Sequence, residues 1–583
     1  IKNVEIITSP GARYDATVSS VIRIRTVKKQ GEGVSESLNS MVWYNGYLGG
    51  SEQLSLNYQS EKLNLFGALW GYTRGHKEAT SLIQHIEGTK NVTVNQYDPL
   101  SYRNTMGEVN FGFNYDLNDE NSIGASYDLE CEPYAKGHVD GQQEIFNEGQ
   151  PVDIIKKKVL VDDIGGPTHE LNAYYVGKVN KLGIDFNGTY LWQKTGRDML
   201  ETEEATVLEN REIHTASRRH NQLLAGKLVL SYPIAKGQLE LGSEVSHTHS
   251  SGEYSNAEDI VADASTDMKE DNLAGFLAFS YPLGSFSMDA GLRYEYVSAK
   301  YYSFGKYEEE PSRNYSNWFP NLTLSWNKEP WAASLAYTCK TKRPSYSSLR
   351  NEVQYDNRYM YEGGDPYLRP TIAHDVSLDV MCNWISFGVE YLYEDNPIIW
   401  YVTLYNHQDI AFLRNVNFSS KQTMTAYVIA APKFDWYQPT WQVFFQKPFF
   451  DAEKYGAPRG LSKPALGITW NNKFKVSSTW TSWVTLHANT TSYNAFRRYR
   501  SGYFASMRMV KTFLDEALTV NFYADDIFRS QKDQWTMYGD HATLTKDSYN
   551  SAREIGVRVV YKFNSGHRKY KGSGAGNAEK SRF

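Results

Sequence analysis

The chain has 583 residues, long for one soluble domain, so a single fold of this size needs a special architecture. Its 61 Lys and Arg against 67 Asp and Glu leave a net charge of −6, which excludes the clustered positive field of a nucleic-acid binder. No apolar run reaches the length of a spanning helix and the mean hydropathy is −0.56. Aromatic residues nevertheless make up 14% of the chain, with 43 Tyr and 14 Trp, and these amphipathic rings gather where a surface passes from apolar to wet.

Close to the start of the chain stands "VEIITSPGARYDA", at 4–16. A strand through Val4–Ile7 runs into a Ser9-Pro10-Gly11 turn, and a second strand, Val21–Arg25, hands over through Arg23–Lys29 to the first long strand. Arg13 and Tyr14 lie between the two strands and have two readings. They face a bound substrate, or Arg13 pairs with carboxylates and Tyr14 packs on a wall.

Beyond residue 30 the dominant pattern has a period of two. At 182–192, Leu182, Ile184, Phe186, Tyr190 and Trp192 share one face, and Gly183, Asp185, Asn187 and Thr189 share the other. At 286–296, Phe286, Met288, Ala290, Leu292, Tyr294 and Tyr296 oppose Ser287, Asp289, Gly291, Arg293 and Glu295. The alternation recurs at 385–393, 518–524 and 555–563, and each run predicts a strand with one apolar and one polar face.

The connections alternate in length. Ser60-Glu61-Lys62, Asn118–Asn121, Asn180-Lys181, Ala235-Lys236-Gly237, Leu283-Gly284-Ser285 and Leu514-Asp515-Glu516 are short turns. Long polar segments, read as loops, fall near 77–101, 136–165, 195–216, 249–267, 343–370 and 531–547. Short turns on one rim and long loops on the other predict an outer-membrane barrel, and hairpins counted from Val34 to Phe563 give about 22 strands. A sheet in lipid must close, because open edges leave backbone groups unpaired, and a barrel this wide is a channel or is plugged.

Several side-chain groups have the composition of a functional site. The 343–370 segment carries Arg343, Tyr346, Tyr355, Arg358, Tyr359 and Tyr361, with Tyr367 and Arg369 beyond them. Aromatic and Arg side chains on an outer loop suit capture of a sugar, peptide or chelate; self-packing on the aromatic girdle explains them equally well. His247 and His249 share a strand face near Glu244, but a metal site wants three or more converging ligands, so a rim or lumen pair is expected and no metal. Residues 116–121 resemble a calcium loop, yet Tyr127 stands where the closing Glu belongs, and a tight turn explains them. Cys131, Cys339 and Cys382 form no disulfide framework, no catalytic constellation is present, and no cofactor is expected. The basic segment 565–583, "SGHRKYKGSGAGNAEKSRF", is expected as a flexible periplasmic extension.

Three segments carry a family resemblance. "VEIITSPGARYDATVSSVIRIRTVKK" resembles the end of a receptor plug; "GDPYLRPTIAHDVSLDV" (364–380) resembles a D-P-x-L-x-P-E segment, with Thr371 where Glu is usual; "VNFYADDIF" (520–528) resembles the penultimate strand. The chain is similar to TonB-dependent outer-membrane receptors of the Bacteroidota-type β-barrel family. The resemblance implies an all-β fold, a 22-stranded antiparallel transmembrane barrel carrying the C-terminal remnant of an N-terminal plug. Its expected parts are 1–30 as the plug end, 31–564 as the barrel and 565–583 as the tail. It also implies that the coupling segment and most of the plug lie outside this sequence. The implied function is import of a nutrient ligand (siderophore, glycan, peptide or vitamin) across the bacterial outer membrane. Arg13, Tyr14, Arg343, Tyr346, Tyr355, Arg358, Tyr359 and Tyr361 are the candidate substrate contacts. Implied partners are outer-membrane lipid, the TonB energy-coupling complex, and a surface lipoprotein or other outer-membrane subunits. The alternative is a structural or accessory barrel subunit without transport of its own.

Overall fold

The computed structural model describes residues 3–7, 11–18, 21–25, 32–564 and 570–583. The expected turn at Ser9-Pro10, the hand-over at Thr26–Lys29 and residues 565–569 of the tail lie outside the described residues.

Twenty-two antiparallel strands form a closed barrel, its first strand, Gly33–Tyr44, pairing with its last, Glu554–Phe563. The period-two faces are the cause. Leu241, Val245, Leu273, Leu277 and Leu292 point outward and stay exposed, whereas the residues between them, such as Glu244, Asn272 and Arg293, point inward and are buried. An outward apolar band and a polar interior are what a barrel in lipid requires.

The wall is uneven in height. Twelve strands have 8 to 13 residues, enough for one tilted crossing. The ten consecutive strands from Leu63–Glu87 to Lys306–Lys328 have 18 to 30 residues and continue far above the apolar band. The segments read as loops at 77–101, 136–165, 195–216 and 249–267 are therefore mostly strand, joined by hairpins such as Glu148–Gly149. Their polar composition follows from position, because above the membrane the outer face is also wet and the apolar contrast fades.

The tall wall is completed by a different set of strands. Leu63–Glu87 pairs with Leu48–Gln59 only as far as Thr73, and its upper part pairs with Ala542–Asn550. That strand continues through Asp533–Tyr538 to Arg497–Tyr499 and Ser492–Asn494. Two inward-folded segments form a four-stranded lid: Val353–Asn357, Met360–Gly363, Ala411–Asn417 and Ile398–Leu404. The lid packs on the inner wall through Met360, Val402 and Leu413 against Ile86, Val94 and Ile155.

Near the N-terminus, Asn3–Ile7 pairs with Val21–Arg25, and 11–18 crosses the lumen, where Thr341 N–H donates to the Ala16 carbonyl at 3.0 Å. The tail differs from expectation. Instead of a free periplasmic extension, residues 570–583 run up the inner wall, because the lumen offers polar partners at almost every step. Lys571 pairs with Asp116, Lys580 with Glu170 and Arg582 with Glu270. Residues 116–121 do form a tight turn, with Asn118 Oδ1 accepting from the Glu120 N–H and the Asn121 amide. His247 and His249 face outward, away from Glu244, and pair with Asp271 (2.7 Å) and Asp267 (2.6 Å). Cys339 and Cys382 sit at opposite ends of their strand pair, and all three cysteines are free.

Candidate functional site in the barrel lumen

The lumen is organised in three levels. On the side of the short turns lies a cavity of about 1020 Å3, lined by Arg13, Tyr14 and inward wall residues including Asp185, Glu240, Asp289 and Asp379. Arg13 reaches Asp185 at 2.7 Å and Glu240 at 3.2 Å while Ala12 packs on Val229 and Phe276. The approach is close enough that a Cβ at Gly291 would meet the Ala12 Cβ at 2.8 Å.

Above the cavity is a layer of buried charge. Arg293 donates to Glu295 (2.6 Å), Glu244 (3.3 Å) and Asp15 (3.3 Å). Arg343 joins Glu295 to Glu579 of the tail, and Arg582 of the tail pairs with Glu270 while stacking on the Tyr346 ring. Wall, N-terminal segment, lid root and tail thus meet in one network, every member almost fully buried. Such a network holds its parts in register, because removing one partner strands a charge in low dielectric.

The lid forms the third level. Tyr355 and Arg358 both bond to Glu203 on the inner wall. Burial and the Glu203 carboxylate raise the Tyr355 phenol well above its ordinary range. Asn357 donates to Gln96 at 3.0 Å, and the Lys157 ammonium lies 3.5 Å from Asp98 and 3.7 Å from Glu201. Burial, opposed by Lys157 but reinforced by Glu203, Asp356 and Asp98, pushes the Glu201 carboxyl up to about 8. Tyr361 packs edge-on against Tyr405 and beside Tyr355, and Tyr359 packs along the lid core.

The eight residues singled out in the sequence therefore fall into three groups. Arg13 and Tyr14 line the lower cavity; Arg343 and Tyr346 belong to the charge layer; Tyr355, Arg358, Tyr359 and Tyr361 anchor the lid. The loop residues are turned into the lumen rather than displayed on the outer surface. The sequence alone does not single out Asp15, Glu270, Glu295 or Glu579, and it places Glu244 only beside the His247–His249 pair. The available signal was local: Arg293 and Glu295 are charges in mid-strand on a face that a membrane barrel turns inward.

Such a molecule is a transmembrane β-barrel whose lumen is occupied and capped. The profile of the outer membrane protein beta-barrel family matches residues 177–561, and the chain belongs to that family; its place is the bacterial outer membrane. Among solved structures it is similar to the copper transporter OprC (10% identity, TM-score 0.63, covering 96% of this chain and 86% of that one). It is similar also to the siderophore receptor PirA from Pseudomonas aeruginosa (12%, 0.55, 96% and 87%) and to the FrpB iron transporter from Neisseria meningitidis (12%, 0.58, 97% and 87%). At these identities the likeness is one of fold. No curated protein matches the chain in sequence.

Proposed function

We propose that the protein is an outer-membrane receptor of the TonB-dependent type, importing a nutrient ligand through a plugged barrel. The observation that carries the reading is the filled lumen: the Asp15–Arg293–Glu295–Arg343 layer and the lid above it oppose free diffusion, so passage needs work done on the interior. OprC is a copper transporter, FrpB an iron transporter and PirA a siderophore receptor, which is consistent with this. In this reading residues 1–30 are the end of a plug, 31–564 the barrel, and the family branch is the Bacteroidota type. Arg13 and Tyr14 meet the ligand in the lower cavity. Arg343, Tyr346, Tyr355, Arg358, Tyr359 and Tyr361 meet it once the lid lifts. Energy comes from the TonB complex, a surface lipoprotein or another outer-membrane subunit is a partner, and the chain performs no catalysis.

The test is growth of a deletion strain across iron, vitamin, peptide and glycan sources, beside a strain lacking the energy-coupling protein. Both strains should fail on the same nutrient. Normal growth of both on every source would end the import reading.

A further inference from the structure

The path of residues 570–583 through the lumen is a set of recognitions, and some of them do not depend on this segment's sequence. The inner wall accepts backbone N–H groups with side-chain oxygens. Asn187 Oδ1 takes the Ser573 N–H at 2.8 Å, Thr189 Oγ1 the Ala575 N–H at 3.0 Å, and Glu244 Oε1 the Gly576 N–H at 3.1 Å. Any peptide can donate those bonds.

Selectivity comes from what surrounds them. Ala575 packs against Leu191, Leu223 and Ala225, and a Cβ at Gly576 would meet Ala225 Cβ at 2.7 Å, so the middle of the path admits only small residues. Gly576 also takes φ +64°, which favours glycine. On either side of this narrow stretch acids face the segment's cations, Asp116 to Lys571, Glu170 to Lys580 and the buried Glu270 to Arg582, while the buried cation Arg343 takes the segment's single carboxylate side chain, Glu579. Tyr346 supplies an aromatic platform, its ring 4.1 Å from the Arg582 guanidinium carbon and 5.5 Å from the Phe583 ring. Charge-assisted bonds to a desolvated carboxylate, with a ring beneath the guanidinium, are the strong elements of such a site.

We propose that the inner wall from Asp116 to Tyr346 is a binding site for short basic peptides, small in the middle and basic toward both ends. The segment Tyr570–Phe583 occupies it as a tethered competitor. The inference rests on the import reading for its physiological meaning and deepens it by naming the substrate class. Binding itself needs no energy source, so it is tested apart from transport.

The experiment uses purified protein in detergent and a fluorescent synthetic peptide of sequence Tyr570–Phe583. A chain lacking residues 570–583 should bind the peptide at least tenfold more tightly than the intact chain, in which the site is filled. Glu270→Gln in the shortened chain should weaken binding tenfold or more. Equal binding by intact and shortened chains, no binding by a shortened chain that still shows heat-modifiable mobility, or no effect of Glu270→Gln would each overturn the proposal. A second measurement covers a shortened chain that fails to fold. In the full chain, Glu270→Arg should expose Lys571 and Lys580 to trypsin, and adding Arg582→Glu should restore protection. Unchanged protection in the first variant, or no restoration in the second, overturns the site. If the peptide binds but the nutrient test finds no uptake, import alone fails.

Discussion

Asp15 and Arg293 face each other across 3.3 Å in the barrel interior, with the Arg293 side chain 1% exposed and that of Asp15 7% exposed. One belongs to the N-terminal segment and the other to the middle of a wall strand, so the pair fastens an internal segment to the barrel. In that setting the pair resists solvent screening, unlike a surface ion pair. Its value is positional: the charge is stable only while wall and segment stay aligned.

Removing Arg293 should therefore loosen the segment while leaving the barrel closed. Arg293→Ala leaves Asp15, Glu244 and Glu295 short of a shared cation, at a cost of about 3–5 kcal/mol. Trypsin should then cut after Arg13, and Glu244→Gln should recover part of the loss. Unchanged protection of Arg13 in Arg293→Ala would show that the layer does not hold the segment.

Lid docking should weaken as pH rises. The Glu201 carboxyl, raised to about 8, keeps its proton in the docked state where the exposed group would already have lost it. Between about pH 4.5 and 8 the docked state thus binds more protons than the undocked one, so docking stability is fully present at the low end and is lost toward pH 8. Hydrogen exchange of 353–363, corrected for intrinsic rates, should accelerate relative to the barrel between pH 6 and 8.5. Glu201→Gln should flatten that dependence. Equal pH dependence in both proteins would refute it.

Arg358→Ala should release the same lid by another route. Glu203 is 1% exposed and would keep only the Tyr355 hydroxyl as its strong partner. Leaving a buried carboxylate half-satisfied costs about 1–3 kcal/mol or more. The expected readout is faster exchange in 353–363 with no change in the strands of the short-turn rim. Identical exchange would mean that apolar packing alone holds the lid.

The two faces of one strand should respond oppositely to charge. Leu277 is 49% exposed on the outer face, and Leu277→Arg should destabilise the barrel in lipid by about 2–4 kcal/mol. Ala278→Arg, one residue on and turned to the lower cavity, should cost much less. Urea unfolding in liposomes distinguishes them; equal losses would contradict the assigned faces.

The barrel was legible because lipid on one side and water on the other stamp a period of two onto runs such as 182–192 and 286–296. The contrast fades above the membrane. Gln143 points inward there, while its outward neighbours Gln142 and Glu144 are also polar, so strand reads as loop. The charge layer was half visible. Arg293 and Glu295 stand out within one strand, but Asp15, Arg343 and Glu579 reach them from distant parts of the chain, and no local pattern encodes that meeting. The lid shows the same limit. Tyr355 and Arg358 are plain as loop residues, whereas their turn inward is decided by Glu203, some 150 residues away. The tail's place is not legible in its sequence, because its composition suits free solution as well as a polar lumen.

The seam between Gly33–Tyr44 and Glu554–Phe563 sets an order of assembly. Glu36 lies opposite Phe563 and Tyr44 opposite Ile555, partners more than 500 residues apart in the chain. Until the last strand has been made, the nascent sheet has two raw edges, each a row of N–H and C=O groups that lipid cannot satisfy. Insertion strand by strand into bare bilayer is therefore uphill until the final hairpin docks. Maturation of this protein must pass through a protected, unclosed sheet, whose closing step is the joining of its two oldest and youngest edges.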